Sequence, residues 1–124
     1  LANECEPNII NFDICKEAKK IQREAAPNLP QPLSQNMSLV SVLSSGPQLS
    51  FTVQLKYSKA FLEKNVKAAG QTMSQIDSKM QSFTRNFICT NKVTLSFVEL
   101  GGRLAMNYRY VNGENAFNVT IKRC

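Results

Sequence analysis

Few residues in this chain could do chemistry, and their spacing points to sulfur bridges rather than catalysis. Its four cysteines are Cys5, Cys15, Cys89 and Cys124. An even count, wide spacing and the absence of any CxxC pair predict two disulfides formed in an oxidising compartment. Chain order favours Cys5 with Cys15 and Cys89 with Cys124, although four cysteines allow three connectivities. A zinc or redox site would need a CxxC pair or histidine, and the sequence has no histidine. The usual general base and the commonest metal ligand are therefore missing, and neither a metal nor a cofactor is expected. The aspartates are Asp13 and Asp77; Glu99 and Glu114 flank the paired glycines and a turn. None of these falls into an acid/base constellation. Ser58-Lys59 and Ser78-Lys79 are Ser–Lys neighbours in sequence, but adjacent helical positions do not face each other, and no GxSxG accompanies them. Gly101-Gly102 lacks the spacing and the lysine of a phosphate loop. Asn36-Met37-Ser38 and Asn118-Val119-Thr120 match the N-glycosylation pattern and are read as chance matches. No enzyme is expected.

Binding is the better prospect. The formal net charge is +6 and the pI about 9.3, a balance that suits anionic partners. Aromatic residues make up 8% of the chain and no Lys/Arg run exceeds two residues, which argues against nucleic acid. The best candidate surface is one side of a C-terminal hairpin, where Arg103, Asn107, Arg109, Asn118 and Lys122 fall together. Arginine suits interfaces because its planar fork grips carboxylates in two places. The plainer reading is the solvent side of a sheet buried on one face, which needs polar residues anyway. An exposed edge strand would offer a second mode, capture of a partner segment by strand addition.

That hairpin is the clearest element. Asn112-Gly113 is read as a two-residue type I′ turn, since both residues accept positive φ. Folding about it pairs Tyr108 with Phe117, Met106 with Val119 and Leu104 with Ile121, all on one face. A slip of one residue would destroy that segregation. Residues 1–11 read as polar and irregular. Asn11 or Asp13 caps a helix running to about Ala26, buried through Ile14, Ala18, Ile21 and Ala25. Lys16, Lys19, Lys20 and Arg23 form its solvated side. Pro27, Pro30 and Pro32 end it and extend the chain. Met37 to Leu43 and Gln48 to Tyr57 are strands joined at Ser45-Gly46-Pro47. The second alternates cleanly through Leu49, Phe51, Val53, Leu55 and Tyr57.

Ser58 caps a helix carrying Phe61, Leu62, Val66 and Ala69, which Gly70 interrupts. Thr72 and Gln75 form a capping box for a long helix. Its stripe of Met73, Ile76, Met80, Phe83 and Phe87 reads as core packing against a sheet; a methionine-rich groove for a partner is the alternative. Residues 91–100 are ambiguous: Val93, Leu95 and Phe97 alternate as in a strand, while Val93, Phe97 and Leu100 share a helical face. The 124 residues suit a single domain spanning 1–124, with no apolar run near the roughly 20 residues that cross a bilayer. A chain starting at Leu1 fits removal of a leader or trimming.

The last third resembles a pattern in small periplasmic proteins of Gram-negative bacteria. Its features are Cys89, a short segment, Gly101, Tyr108-Arg109-Tyr110, Gly113, and a strand from Phe117 to Cys124. Leu29-Pro30, the strands and the long helix occur in similar order. The set includes type II secretion pilotins of the GspS-beta kind and virulence-associated secreted proteins. The resemblance implies an α+β fold with helices packed on a mostly antiparallel sheet; with the elements read along the chain, the expectation is about four strands in two hairpins packed against an N-terminal helix and a long central helix. It also implies a Cys89–Cys124 bridge and a helix at 91–100. Leu1-Ala2-Asn3-Glu4-Cys5 does not fit a lipidation box, where the residue before the cysteine is small. The expectation is a non-enzymatic periplasmic or secreted protein that binds another protein of the envelope or a secretion system, as a pilotin-like accessory or immunity-type inhibitor. The alternatives are a small hydrolase with an unrecognised site and a module for anionic lipid or envelope polymer.

Overall fold

The structure, a computed structural model, describes residues 4–6 and 12–124. Helix α1 (Ile14–Ala25) begins where the Asp13 carboxylate accepts from the amides of Cys15 and Lys16, at 2.9 and 3.1 Å. Asn11, the other candidate cap, lies outside the described residues. Ile14, Ala18 and Ile21 are buried, as the spacing predicts. A 3-10 turn over Ala26–Asn28 follows, and a cis Leu29–Pro30 bond leads into β1 (Gln31–Ser34). Then come β2 (Met37–Ser45), β3 (Gln48–Leu55), α2 (Lys59–Ala68), α3 (Met73–Thr90), α4 (Lys92–Glu99), β4 (Arg103–Arg109) and β5 (Asn115–Ile121).

The α+β class holds, but the sheet differs from expectation in two respects. It has five strands in the order β1-β2-β3-β4-β5, and β3 pairs with β4 in parallel. The added strand is β1, whose Pro30 and Pro32 surroundings read as a break. Proline is tolerated there because β1 is an edge strand, with no outer neighbour needing its amide. The parallel junction follows from connection length: three helices intervene between β3 and β4, and parallel neighbours require such a crossover. The two expected hairpins form, β2 with β3 and β4 with β5.

The hairpin register is the one read from the side-chain pattern, with Leu104, Met106 and Tyr108 opposite Ile121, Val119 and Phe117. Its turn is longer than expected. The Gly113 amide donates to the Tyr110 carbonyl and the Tyr110 amide to the Glu114 carbonyl, both at 2.8 Å. Residues 111–113 thus form a three-residue loop with Gly113 at φ 90°, the bulged alternative to the type I′ turn. A separate register shift between Tyr108 and Arg109, where pairing passes from Phe117 to Asn115, offsets the extra loop residue and keeps the expected pairs.

Residues 91–100 are helical. Asn91 caps α4 through Val93 and Thr94, and Gly101 at φ 106° ends it. The amides of Gly101 and Gly102 return to the carbonyls of Val98 and Phe97, a Schellman closure. Sulfur ties both ends of the chain down, Cys5 to Cys15 and Cys89 to Cys124. The inward side chains of the central strands are buried, among them Leu49, Phe51, Val53, Met106 and Val119. Helices α1, α3 and α4 pack on that side; among the described residues no element covers the other.

Candidate functional site

Helix α3 starts at the predicted capping box, Thr72 with Gln75. Its burial departs from the pattern. The residues of α3 that reach the core fully are Thr84 and Ile88. Met73, Ile76, Met80 and Phe87 are half-buried and Phe83 is 38% exposed. The apolar stripe is therefore turned away from full burial, and the helix rides the rim of the sheet beside β5. Two contacts set that position. The Gln81 side chain reaches the Asn118 carbonyl and the Arg85 guanidinium the Arg123 carbonyl. Beneath them, the Thr84 hydroxyl meets the Tyr108 phenol at 2.7 Å. Periodicity could not find Thr84, because a threonine does not count as apolar; it replaces the expected line by one slightly rotated around the helix.

Where α3 ends, its stripe runs into a groove of about 270 Å³ over the inner sheet face. Ile21 and Ala25 of α1 form one wall, Phe87 and Val93 the other, and Leu39 and Val42 the floor. Val93 is 56% exposed and Phe83 stacks on Phe87 with centroids 6.3 Å apart. On its far side Val93 borders a second hollow of about 340 Å³, with Phe12, Glu17 and Leu100. The result is a largely apolar depression between α1 on one side and α3 and α4 on the other, with Glu24, Gln31, Asn91 and Thr94 also in its lining.

The sequence-predicted binding residues do share a face, the uncovered one. Arg103, Asn107 and Arg109 alternate along β4, Asn118 stands opposite Asn107, and Lys122 follows Ile121, the partner of Leu104. They do not converge. Arg103 and Arg109 sit at opposite ends of β4, about 20 Å apart at the rise of an extended strand. Ser58, one of the serines weighed for chemistry, is spent capping α2 through the Phe61 amide. Cys5, Asp13 and Cys15 lie close enough to hold a metal, but both sulfurs are committed to one disulfide.

The phenols carry raised pKa values. Burial raises Tyr108. Burial also raises Tyr57, aided by Tyr110, and raises Tyr110, aided by Glu63 and Glu114. All three point to neutral phenols packed against apolar neighbours.

No family model and no curated protein matches the sequence. Solved structures do match in fold. A protein of Pseudomonas aeruginosa described as secreted aligns over 92% of this chain and 93% of its own, with TM-score 0.68 and 13% identity. The pilotin EpsS of the Vibrio vulnificus type 2 secretion system aligns over 87% and 86%, with TM-score 0.67 and 12% identity. The type II secretion pilotin AspS of Vibrio cholerae aligns over 89% of each chain, with TM-score 0.66 and 13% identity. The likeness is one of fold, and it extends over nearly the whole chain, as the resemblance in the last third implied. Among the described residues no helix is long and apolar enough to cross a membrane.

Proposed function

We propose that this chain is a non-enzymatic, pilotin-like secretion accessory of the periplasm or cell exterior, which holds an amphipathic helix of another protein. The observation that carries the reading is the half-covered stripe of α3. Five apolar side chains from Met73 to Phe87 extend about 21 Å at the helical rise. A buried helix hides such a stripe, and a docking helix leaves it open. Two of the five are methionines, whose unbranched side chains adapt to a partner's shape. The occupant is a helix because the depression lies between helical walls above a sheet, where one more helix lying in the groove completes the layer. Its polar side is acidic, to complement a chain of net charge +6. The pilotin folds support the secretion role, and two disulfides support an oxidising compartment.

A photo-reactive residue placed at Phe83 or Val93, in cells that make the protein, tests this directly. The expected product is a crosslink to an amphipathic helical segment of a secretion component. Met80→Glu should remove it while leaving the far-UV spectrum intact. A crosslink that survives Met80→Glu, or that forms only from Thr120 on the uncovered sheet face, would discard the groove.

A further inference from the structure

The uncovered face of the sheet has an order that no single strand shows. The register aligns outward side chains into rows that cross four strands. One row runs Ser41, Thr52, Asn107, Asn118. The row on one side of it holds Ser38, Gln54 and Arg109; the row on the other, Leu43, Ser50 and Ala105. Beyond Arg109 the same alternation reaches Asn36, Lys56 and Val111, with the Lys56 amide bonded to the Asn36 carbonyl at 3.0 Å. Those three residues, with Tyr57, Ser58 and Phe61, line a hollow of about 440 Å³. At the opposite end stand Arg103, beside Gln48, and Lys122.

Three properties of this face select a ligand. First, no Asp or Glu occupies an outward strand position, and Arg103, Arg109, Lys122 and Lys56 have no ion-pair partner among the described residues. Second, the side chains of Ser41, Thr52, Asn107, Asn118 and Thr120 make no hydrogen bond within the described residues, so their donors and acceptors are free for a ligand. Third, the hollow pairs an exposed ring with a half-buried one, Phe61 and Tyr57 with centroids 6.1 Å apart, beside Lys56. Phe61 is 58% and Val111 57% exposed.

We infer that this face binds an anionic polysaccharide, a hydroxyl-rich chain bearing carboxylates or phosphates. The strand lies across the rows, with one sugar ring against Phe61 and Tyr57 and its acidic groups at the separated cations. Other polyanions fit less well. Single-stranded nucleic acid needs a succession of aromatic platforms along its path, and the rows hold none. A protein interface centres on buried aromatic or apolar anchors, and here the centre is Thr52 and Asn107. An anionic bilayer is held by clustered basic residues, whereas Arg103 and Arg109 are about 20 Å apart on one extended strand. Free hydroxyl and amide side chains gain nothing from a charged plane but match sugar hydroxyls one for one.

Affinity electrophoresis of the disulfide-bonded protein in polygalacturonate, phosphomannan, neutral dextran and polyglutamate tests the inference. Retardation is expected in the first or second and in neither of the others. Arg103→Gln/Arg109→Gln should weaken it about tenfold, the combined effect of two exposed ion contacts, and Phe61→Ala should weaken it as well. Lys19→Gln/Lys20→Gln removes the same charge from the exposed side of α1 and should change binding less than about twofold on the same reasoning. Equal retardation by polyglutamate, equal loss in the α1 variant, or no retardation by either acidic glycan would overturn the inference.

Discussion

The buried contact between Thr84 and Tyr108 fixes α3 to the sheet, and with it the position of the open stripe. Both side chains are 0% exposed. The Thr84 hydroxyl donates to the Met80 carbonyl at 2.7 Å, which uses its single proton. The phenol must therefore be the donor in the 2.7 Å contact between them. This direction makes the two truncations unequal. Tyr108→Phe removes a donor from a threonine that keeps its own bond, at a cost of about 1 kcal/mol. Thr84→Val leaves a buried phenol with nothing to accept its proton, at a cost of about 1–3 kcal/mol. The double variant replaces both partners with apolar groups of similar shape and should cost less than the two singles together, a coupling of about 1–2 kcal/mol. Urea unfolding of the four proteins, disulfides intact, measures it. Additivity within about 0.3 kcal/mol would mean the contact does not hold α3 in place. The same cycle has an alkaline arm. Burial raises the Tyr108 pKa above its ordinary 10.0, so the folded state holds this proton more tightly than the unfolded chain. That contribution is complete below pH ~10 and is lost as pH climbs through the folded value. The wild type should lose stability on that limb more steeply than Tyr108→Phe; Tyr57 and Tyr110, also raised, keep the variant's limb from becoming flat.

Two further perturbations probe the frame around the site. Replacing Cys89 and Cys124 with serine opens a separation of 35 residues, for which chain entropy assigns about 4 kcal/mol, against about 3 kcal/mol for the 10-residue separation of Cys5 and Cys15. Calorimetry should therefore show the larger drop in Tm for the Cys89/Cys124 variant; the reverse order would mean that the bridges act chiefly through local geometry. Gly102→Ala sets a methyl into the Phe97 ring, which is itself 1% exposed in the core. It should destabilise by about 1–3 kcal/mol, and Phe97→Leu in the same chain should recover part of the loss. An unchanged midpoint for Gly102→Ala would show that α4 can shift away from β4.

What the sequence revealed was local or declared by pattern. The Asp13 cap, the Thr72–Gln75 box and the register of β4 on β5 each depend on residues close in the chain or on a strict two-residue alternation, so they could be read without the fold. The sulfur pairs followed from order. The helix at Lys92–Glu99 could not, because Val93, Leu95 and Phe97 serve either period over so short a run; the resemblance noted in the last third pointed to the helix that forms. The parallel junction of β3 with β4 escaped because it depends on how three helices pack, and β1 escaped because its prolines look like punctuation until the strand is seen to be an edge.

The two candidate surfaces were hidden for opposite reasons. Met73, Ile76, Met80, Phe83 and Phe87 announce a buried face, and only the fold shows that it is half covered: Thr84 and Ile88 take the inward positions, and Met73, Ile76, Met80 and Phe87 pack against the margin of the core. Apolar spacing reports that a face avoids water, not which molecule supplies the cover. On the other side of the sheet, Arg103, Asn107 and Arg109 were visible as one polar line. Their extension through Thr52 and Ser41 to Lys56 and Phe61 required the strand order, since β3 and β4 are separated by the whole helical segment. A surface assembled from β2, β3, β4 and β5 belongs to the sheet and to no stretch of chain. The protein thus presents a helix-lined side with a half-covered apolar stripe and, back to back with it, a polar sheet face whose strands carry no carboxylate.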